Sequence, residues 1–176
     1  MIPSLEQLSD QFTRLITLGA IVPNVQDSAA AESTPGPTAT PPPSPSPVQP
    51  VDYSLKGYHL DITVPPGQVV LAAEILDKNG FGLDAITGVD WIAQNEMEVV
   101  YDYFHPLSPL RVVVRARVPR SQPEIPTIYE VFPGANWHER ETHDFFGIRF
   151  LGHPDLTPLL LPEDADYHPL RKDFNA

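Results

Sequence analysis

Hydrophobic and polar residues alternate most regularly between Leu110 and Val118. Side chains of successive strand residues point to opposite faces of a sheet, so this alternation predicts a half-buried β-strand. Three arginines, Arg111, Arg115 and Arg117, fall on its polar face. Three further segments show the same period of two and are interpreted as strands: residues 58–64, 83–92 and 97–104.

The strand at 97–104 and the strand at 110–118 are expected to form an antiparallel hairpin. Glu98 and Asp102 would then lie near the arginines of the neighbouring strand. Each cross-strand pair of this kind contributes roughly 0.2–1 kcal/mol. We therefore interpret this surface as a solvated, charge-paired sheet face. The alternative is a phosphate-binding patch, which requires that the arginines stay unpaired.

A period of 3.6 residues marks the helices. Hydrophobic residues recur at helical spacing between Leu5 and Leu18, behind a capping box formed by Ser4 and Gln7. Residues 68–78 carry a second apolar stripe, and residues 135–146 contain no helix breaker before a glycine. Together these elements predict an α+β fold, with a mostly antiparallel four-stranded sheet, helices on one face and an extended C-terminal tail.

A Pro-rich stretch divides the chain. Eight prolines lie between Pro35 and Pro50, and no charged residue occurs between Ser33 and Val51. Such a segment cannot bury apolar surface and favours polyproline II, so we interpret it as a linker rather than as a PxxP ligand. The predicted organisation is a short amphipathic helix, a Pro-rich disordered linker, an α+β globular domain and an extended docking tail, at residues 1–20, 21–51, 52–150 and 151–176.

The N-terminal helix has two interpretations. Its apolar stripe either packs on the chain's own domain or docks on a neighbouring protein. The long linker that follows would let the helix reach a neighbour, so we predict docking on a neighbouring subunit.

The composition excludes several classes of function. The formal net charge is −12, opposite in sign to that of a typical nucleic-acid binder. The chain has no cysteine, which removes thiolate nucleophiles and Cys-ligated iron–sulfur clusters. We find neither the pattern of a signal peptide nor an apolar run long enough to span a bilayer, so any membrane association is expected to be indirect.

The stretch at 135–174 has the highest density of ionisable and imidazole groups and is the candidate site. Glu139 and Glu141 are two residues apart on a helix and diverge, whereas an acid/base pair must face one substrate. His143 follows His138 by five residues, one more than the HExxH zinc motif requires. A stand-alone metal-dependent hydrolase, the alternative from another class, would use His138, Glu139, His143 and Asp144.

A protein interface agrees better with these patterns. Helical spacing places Glu141 between Trp137 and Phe145, where a carboxylate needs a partner from outside its own helix. After Gly152 the chain carries the apolar run Leu159–Leu161 between prolines, followed by charged residues. Exposed apolar residues flanked by charges are typical of an interaction surface.

The same stretch resembles the signature of the 30 kDa subunit of respiratory complex I, which is designated C in bacterial NADH-quinone oxidoreductases. The resemblance weakens upstream and extends to about Tyr58. Two positions depart from the family pattern: His143 stands where an aromatic residue is usual, and Thr157-Pro158 replaces a basic pair. The residues that carry the resemblance are Ala135-Asn136-Trp137, Glu139-Arg140-Glu141, Asp144 to Ile148, Phe150, Gly152 to Leu156, Leu159-Leu160 and His168 to Phe174.

The resemblance implies an accessory subunit of the peripheral arm, in contact with the 49 kDa-like subunit (designated D) and with neighbouring iron–sulfur subunits. It implies that this chain binds no cofactor or metal, and that NADH, FMN, iron–sulfur clusters and quinone belong to partner subunits. It also implies a position at the cytoplasmic face of the cell membrane, reached only through the complex. Interface or structural roles are expected for Glu139, Arg140, Glu141, Asp144, His153, Pro154, Arg171, Lys172 and Asp173.

We therefore expect a non-catalytic subunit that supports assembly, and so supports electron transfer from NADH to quinone. The related alternative is the equivalent subunit of a membrane-bound hydrogenase or formate hydrogenlyase complex.

Overall fold

The computed structural model describes residues 2–19 and 46–175. It contains two short 3₁₀ segments, Pro66–Gln68 and Ile92–Gln94. In chain order the helices and strands are α1 (Leu5–Gly19), β1 (Val48–Pro50), α2 (Tyr53–Lys56), β2 (Leu60–Thr63), α3 (Val69–Lys78), β3 (Gly82–Trp91), β4 (Glu96–Phe104), β5 (Arg111–Pro119), β6 (Glu124–Pro126), α4 (Ala135–Phe146) and β7 (Arg149–Leu151).

The main sheet has five strands in the order β1-β2-β5-β4-β3. The predicted α+β class and the antiparallel β3–β4 and β4–β5 pairs are confirmed. The predicted count of four strands is wrong. Strand β1, which lies inside the stretch interpreted as linker, adds a fifth strand by pairing antiparallel with β2. In addition, β2 runs parallel to β5, so the sheet is not a simple meander. The β2–β5 pairing joins residues far apart in sequence, and a local pattern does not encode it.

One face of this sheet carries the core. The β4 residues Met97, Val99, Tyr101 and Tyr103 are at most 1% exposed, as the alternation predicted. Helices α1, α3 and α4 all contribute buried side chains to the same cluster. Burial of such side chains supplies the dominant favourable term in folding. The prediction of helices on one face therefore agrees with the structure.

The opposite face of β4 and β5 carries the predicted charge pairs. An Arg117 nitrogen lies 3.3 Å from Glu98, and an Arg111 nitrogen lies 3.0 Å from Asp102. Arg115 pairs with Asp61 of β2 at 2.9 Å. The antiparallel hairpin and the charge pairing of this face are thus confirmed, although Glu98 is buried rather than solvated. The pairing neutralises the arginines that a phosphate site would need.

Helix α1 begins where the sequence predicted, but it packs on its own domain rather than being left free for a neighbouring subunit. The amide of Gln7 donates to the Ser4 hydroxyl at 3.2 Å, and the Ser4 amide donates to the Gln7 side chain at 3.0 Å, which is a capping box. Leu8 and Phe12 are 0% exposed and belong to the domain core. The apolar face of α1 is therefore covered by its own domain, which corrects the prediction that it docks on a neighbour. Residues 20–45, most of the predicted linker, lie outside the described part of the chain.

Helix α4 packs closely against the edge strand β3. A Cβ atom added to Gly88 would lie 2.4 Å from the ring of Phe146, so only glycine permits this approach. The short strands β6 and β7 pair in parallel beside this helix. No helix or strand follows β7 among residues 152–175, which instead lie against α4 and the sheet through the contacts described below. Within the described residues, no helix is long and apolar enough to cross a membrane.

Candidate functional site

Helix α4 and residues 152–175 form one unit that contains every predicted site residue. The helix spans Ala135–Phe146, as the sequence predicted. It ends at Gly147, whose φ of 73° lies in the left-handed region and whose amide donates to the His143 carbonyl. The irregular segment then folds back along the helix. Side chains on several faces of α4 are therefore held by residues far along the chain.

Glu139 is the buried carboxylate of α4. Its side chain is 0% exposed, and it accepts hydrogen bonds from the Thr127 hydroxyl and from the Ile128 amide, the latter at 2.9 Å. Removal from water raises the pKa of Glu139 to about 7, against the effect of these two donors. The pairing with His143 that helical spacing allowed is not made. Glu139 therefore anchors the loop before α4.

His153 lies on the other side of the same buried carboxylate. Its Nδ1 accepts from the Asp155 amide at 3.1 Å, so the proton sits on Nε2, which is 3.9 Å from Glu139. Burial lowers the pKa of His153, so the ring is neutral at pH 7. The neighbouring Pro154 is exposed. The His153 side chain, 0% exposed, is thus part of the interior rather than of an outer surface.

Asp144 and Arg140 bind the segment that returns along α4. One carboxylate oxygen of Asp144 accepts from the backbone amides of Leu159, Leu160 and Leu161, at 2.9, 2.7 and 3.2 Å. The Arg140 guanidinium donates to the Thr157 and Pro158 carbonyls at 3.0 and 3.1 Å. Helical spacing allowed these two side chains to pair with each other, but each is engaged by backbone groups instead. Successive amides around one oxygen form an anion-binding concavity.

Replacement of Asp144 by alanine should release this part of the chain. Hydrogen bonds to a charged acceptor contribute about 1.5–3 kcal/mol each, so we expect amide hydrogen exchange at residues 159–161 to accelerate by about 10- to 100-fold. Asp166→Ala is the matched control, since Asp166 is exposed and leaves the Asp144 contacts intact. Unchanged exchange in Asp144→Ala would contradict this assignment.

The end of the chain is tied to the sheet. Asp90 of β3 is buried, and Arg120 donates to both of its oxygens, at 2.9 and 3.1 Å. The backbone amide of Lys172 donates to the same carboxylate at 2.8 Å, and Asp173 pairs with Arg120. Although burial acts in the opposite direction, the donors from Arg120 and Lys172 hold the pKa of Asp90 below its usual value. Arg171 caps the last turn of α4 through a 2.7 Å bond to the Phe146 carbonyl.

Sequence reasoning missed the role of Asp90. A signal was present, because Asp90 has the same strand parity as Ile86 and Gly88 and therefore faces the core. A carboxylate on the core face needs a buried partner. Its partner, Arg120, is 30 residues away and follows the last residue of β5. Only the packed sheet brings the two together.

The residues of the hydrolase alternative are not assembled into one site. Glu139 faces Thr127 and Ile128, whereas Asp144 faces the returning segment. His143 contacts the Ile148 carbonyl through its Nδ1 at 2.9 Å. Among residues 2–19 and 46–175, no group of three or more His, Asp or Glu side chains is placed to hold a metal ion.

A family model and several known proteins match this chain. A family model described as respiratory-chain NADH dehydrogenase, 30 Kd subunit, matches residues 62–176. The subunit designated C in F(420)H(2) dehydrogenase of Methanosarcina mazei is 43% identical over 95 residues, which are 53% of this chain and 60% of that protein. The subunit designated C in NADH-quinone oxidoreductase of Roseiflexus castenholzii is 40% identical over 119 residues, 65% of this chain and 68% of the relative. The same subunit of Moorella thermoacetica is 38% identical over 115 residues, which are 64% of this chain and 78% of the relative.

Two solved structures share the fold. A chain of the membrane-bound sulfane sulfur reductase, an archaeal respiratory membrane complex, matches with a TM-score of 0.61 and 30% identity, over 66% of this chain and 71% of that one. A trypsin-resistant fragment of Nqo5 matches with a TM-score of 0.50 and 30% identity, over 58% of this chain and 92% of the fragment. The chain spans less than two thirds of the length of the Methanosarcina relative.

Proposed function

Because the chain belongs to the family of the 30 kDa subunit of respiratory-chain NADH dehydrogenase, we propose that it is a non-catalytic subunit of a membrane-bound NADH-quinone oxidoreductase. The observation that carries this proposal is the family match over residues 62–176, which contains α4 and the segment packed on it. In this role the chain supports assembly, and electron transfer from NADH to quinone takes place in its partners.

The partners we propose are the 49 kDa-like subunit and the neighbouring iron–sulfur subunits of the peripheral arm. Support comes from large apolar side chains that are exposed to solvent on α4 and on the segment packed along it. The exposed fraction is 60% for Trp137, 60% for Leu160 and 51% for Leu170. Apolar side chains grouped on one surface are typical of protein interfaces. The complex would hold this subunit at the cytoplasmic face of the cell membrane.

In this proposal, the proposed interface is ordered by contacts within this chain, which are made by Arg140, Asp144, Arg171 and Asp173. Their side chains are engaged by backbone groups or by Arg120. An ordered surface binds with a smaller entropic cost than one that must fold on contact. We propose that NADH, FMN, iron–sulfur clusters and quinone are all held by the partner subunits.

A second candidate keeps the same role in a related complex with another electron donor. It is favoured by the 43% identity to the F(420)H(2) dehydrogenase subunit, and by the structural match to the sulfane sulfur reductase. A membrane-bound hydrogenase or formate hydrogenlyase belongs to the same group of alternatives.

Affinity purification of the tagged chain from membranes, in mild detergent, tests the proposal. We expect a 49 kDa-like subunit and iron–sulfur proteins to co-purify, together with NADH-dependent quinone reduction. A complex that reduces quinone with a different donor would favour the second candidate. Recovery of the chain as a lone monomer with enzymatic activity would contradict both.

A further inference from the structure

A small apolar slot opens beside the edge strand of the sheet. It has a volume of about 150 Å³ and lies between β3 and α4. Its walls include Ile86 and Gly88 from β3, Phe145 and Phe146 from α4, and Leu170 from the segment packed on the helix. Glu141 also lines the slot and is its only charged lining residue. Because no strand of residues 2–19 and 46–175 pairs with the outer side of β3, a partner can approach this slot.

Glu141 differs from the other carboxylates of the described residues. Within 2–19 and 46–175, every other Asp or Glu that is buried or half-buried has a cation or a hydrogen-bond donor as partner, whereas Glu141 is half-buried and has neither. The partnered carboxylates are Asp61, Glu74, Asp90, Glu96, Glu98, Asp102, Glu124, Glu139 and Asp144.

The two arginines that directly adjoin Glu141 and Leu170 in sequence make their hydrogen bonds elsewhere. Arg140, the preceding residue on α4, donates to the Thr157 and Pro158 carbonyls. Arg171, which follows Leu170, donates to the Phe146 carbonyl. Covering the slot with an apolar side chain would remove Glu141 from water without a partner, which is unfavourable. A partner that covers the slot therefore has to bring a cation for Glu141.

We propose that the slot receives an arginine side chain of the subunit that packs against β3 and α4, with its guanidinium paired to Glu141. An arginine stem covers apolar surface, and its planar head stacks on aromatic rings such as that of Phe145 and binds a carboxylate through two parallel bonds. Lysine is more strongly hydrated and fits an aromatic slot less well. This inference rests on the proposed function, since it names the chemistry of the partner at that interface.

The first test compares charge changes in the assembled complex. Removal of one partner of a buried charge pair strongly accelerates dissociation, so we expect Glu141→Gln to increase the dissociation rate by about 10- to 100-fold and Glu141→Arg to abolish recovery of the complex. Glu163→Arg is the matched control, because Glu163 is exposed on the segment packed along α4, and it should assemble as the unmodified chain does. The thermal unfolding of the purified Glu141→Gln chain should be unchanged, which separates an interface effect from misfolding.

The second test identifies the partner residue. A photo-crosslinking amino acid at Thr87, exposed on β3 beside the slot, is expected to label a partner peptide that contains an arginine. Replacement of that arginine by glutamate should restore assembly of the Glu141→Arg variant. Normal assembly of Glu141→Arg would overturn the inference. So would a labelled peptide in which no arginine, when replaced by glutamate, restores assembly of Glu141→Arg. Those outcomes leave the proposed function standing, whereas failure of the unmodified chain to co-purify with any subunit would overturn the proposed function itself.

Discussion

Phe12→Ala should destabilise the purified chain by about 3–5 kcal/mol, the range for removal of a fully buried phenylalanine. Phe12 and Leu8 are 0% exposed and belong to the same core cluster as the sheet residues. Helix α1 is further tied to the end of α3 by a 2.9 Å hydrogen bond from Asn79 to Gln11. Truncation therefore leaves a cavity inside the domain. Chemical denaturation, followed by the fluorescence of the two tryptophans, measures the loss.

Leu18→Ala is the matched control for this prediction. Leu18 is on the same helix but 67% exposed, so its truncation should change the free energy of unfolding by less than about 0.5 kcal/mol. Equal and small effects of Phe12→Ala and Leu18→Ala would show that α1 does not pack on the domain. That result would restore the interpretation of α1 as a docking helix for a neighbour.

Glu139→Gln should change the pH dependence of stability. The folded chain holds the Glu139 proton up to a pKa of about 7, whereas the unfolded chain releases it near 4.5. The contribution of Glu139 to the free energy of unfolding is therefore fully present below pH 4.5 and is lost as the pH rises through 7. A shift of this size corresponds to about 3 kcal/mol. We expect Glu139→Gln to gain about 2–3 kcal/mol relative to the unmodified chain between pH 5 and pH 8.

The comparison of the two chains isolates Glu139 from its neighbours. His153, 3.9 Å away, has a lowered pKa because it is buried, so its contribution has the opposite sign and is lost as the pH falls below 6.5. That contribution is present in both chains and largely cancels in the difference. Tyr101 and Tyr103 pack nearby, and burial raises the pKa of both phenols, so neither ionises in this range. A stability difference that stays constant from pH 5 to pH 8 would contradict the raised pKa.

The sequence did not identify which carboxylate of α4 is fully buried. Glu141 was expected to need a partner between Trp137 and Phe145, and it does lie half-buried beside Phe145 without one. The fully buried carboxylate is instead Glu139, whose partners Thr127 and Ile128 precede the helix. Helical spacing shows that the two glutamates diverge, but it does not show which side of the helix the sheet covers.

The charged residues of α4 and of the segment packed on it were harder to assign. Arg140, Asp144 and Arg171 were expected at an interface or in structural positions, and the structure places their polar contacts inside the chain. Their partners are mainly backbone amides and carbonyls of an irregular segment. Every residue carries a backbone carbonyl and every residue except proline carries an amide N–H, so no side-chain pattern marks these partners in the sequence.

Short-range chemistry was enough for the elements whose stabilising contacts are local. Helix α4 runs from Ala135 to Phe146 because helix-forming residues continue until Gly147 adopts a φ of 73°. Strands β4 and β5 follow from the alternation of buried and polar side chains, which any half-buried strand must show. The family resemblance is concentrated in the same short-range patterns of 135–174.

Tertiary packing was needed wherever the partner is distant. The Lys172 amide reaches Asp90 across 82 residues, and Arg120 reaches Asp173 across 53. The same holds for the parallel β2–β5 pair and for the contact of α1 with the core. Each of these contacts closes a long loop, whose entropic cost is met by burial of the whole core rather than by the two residues that meet. A local sequence pattern therefore does not predict these long-range contacts.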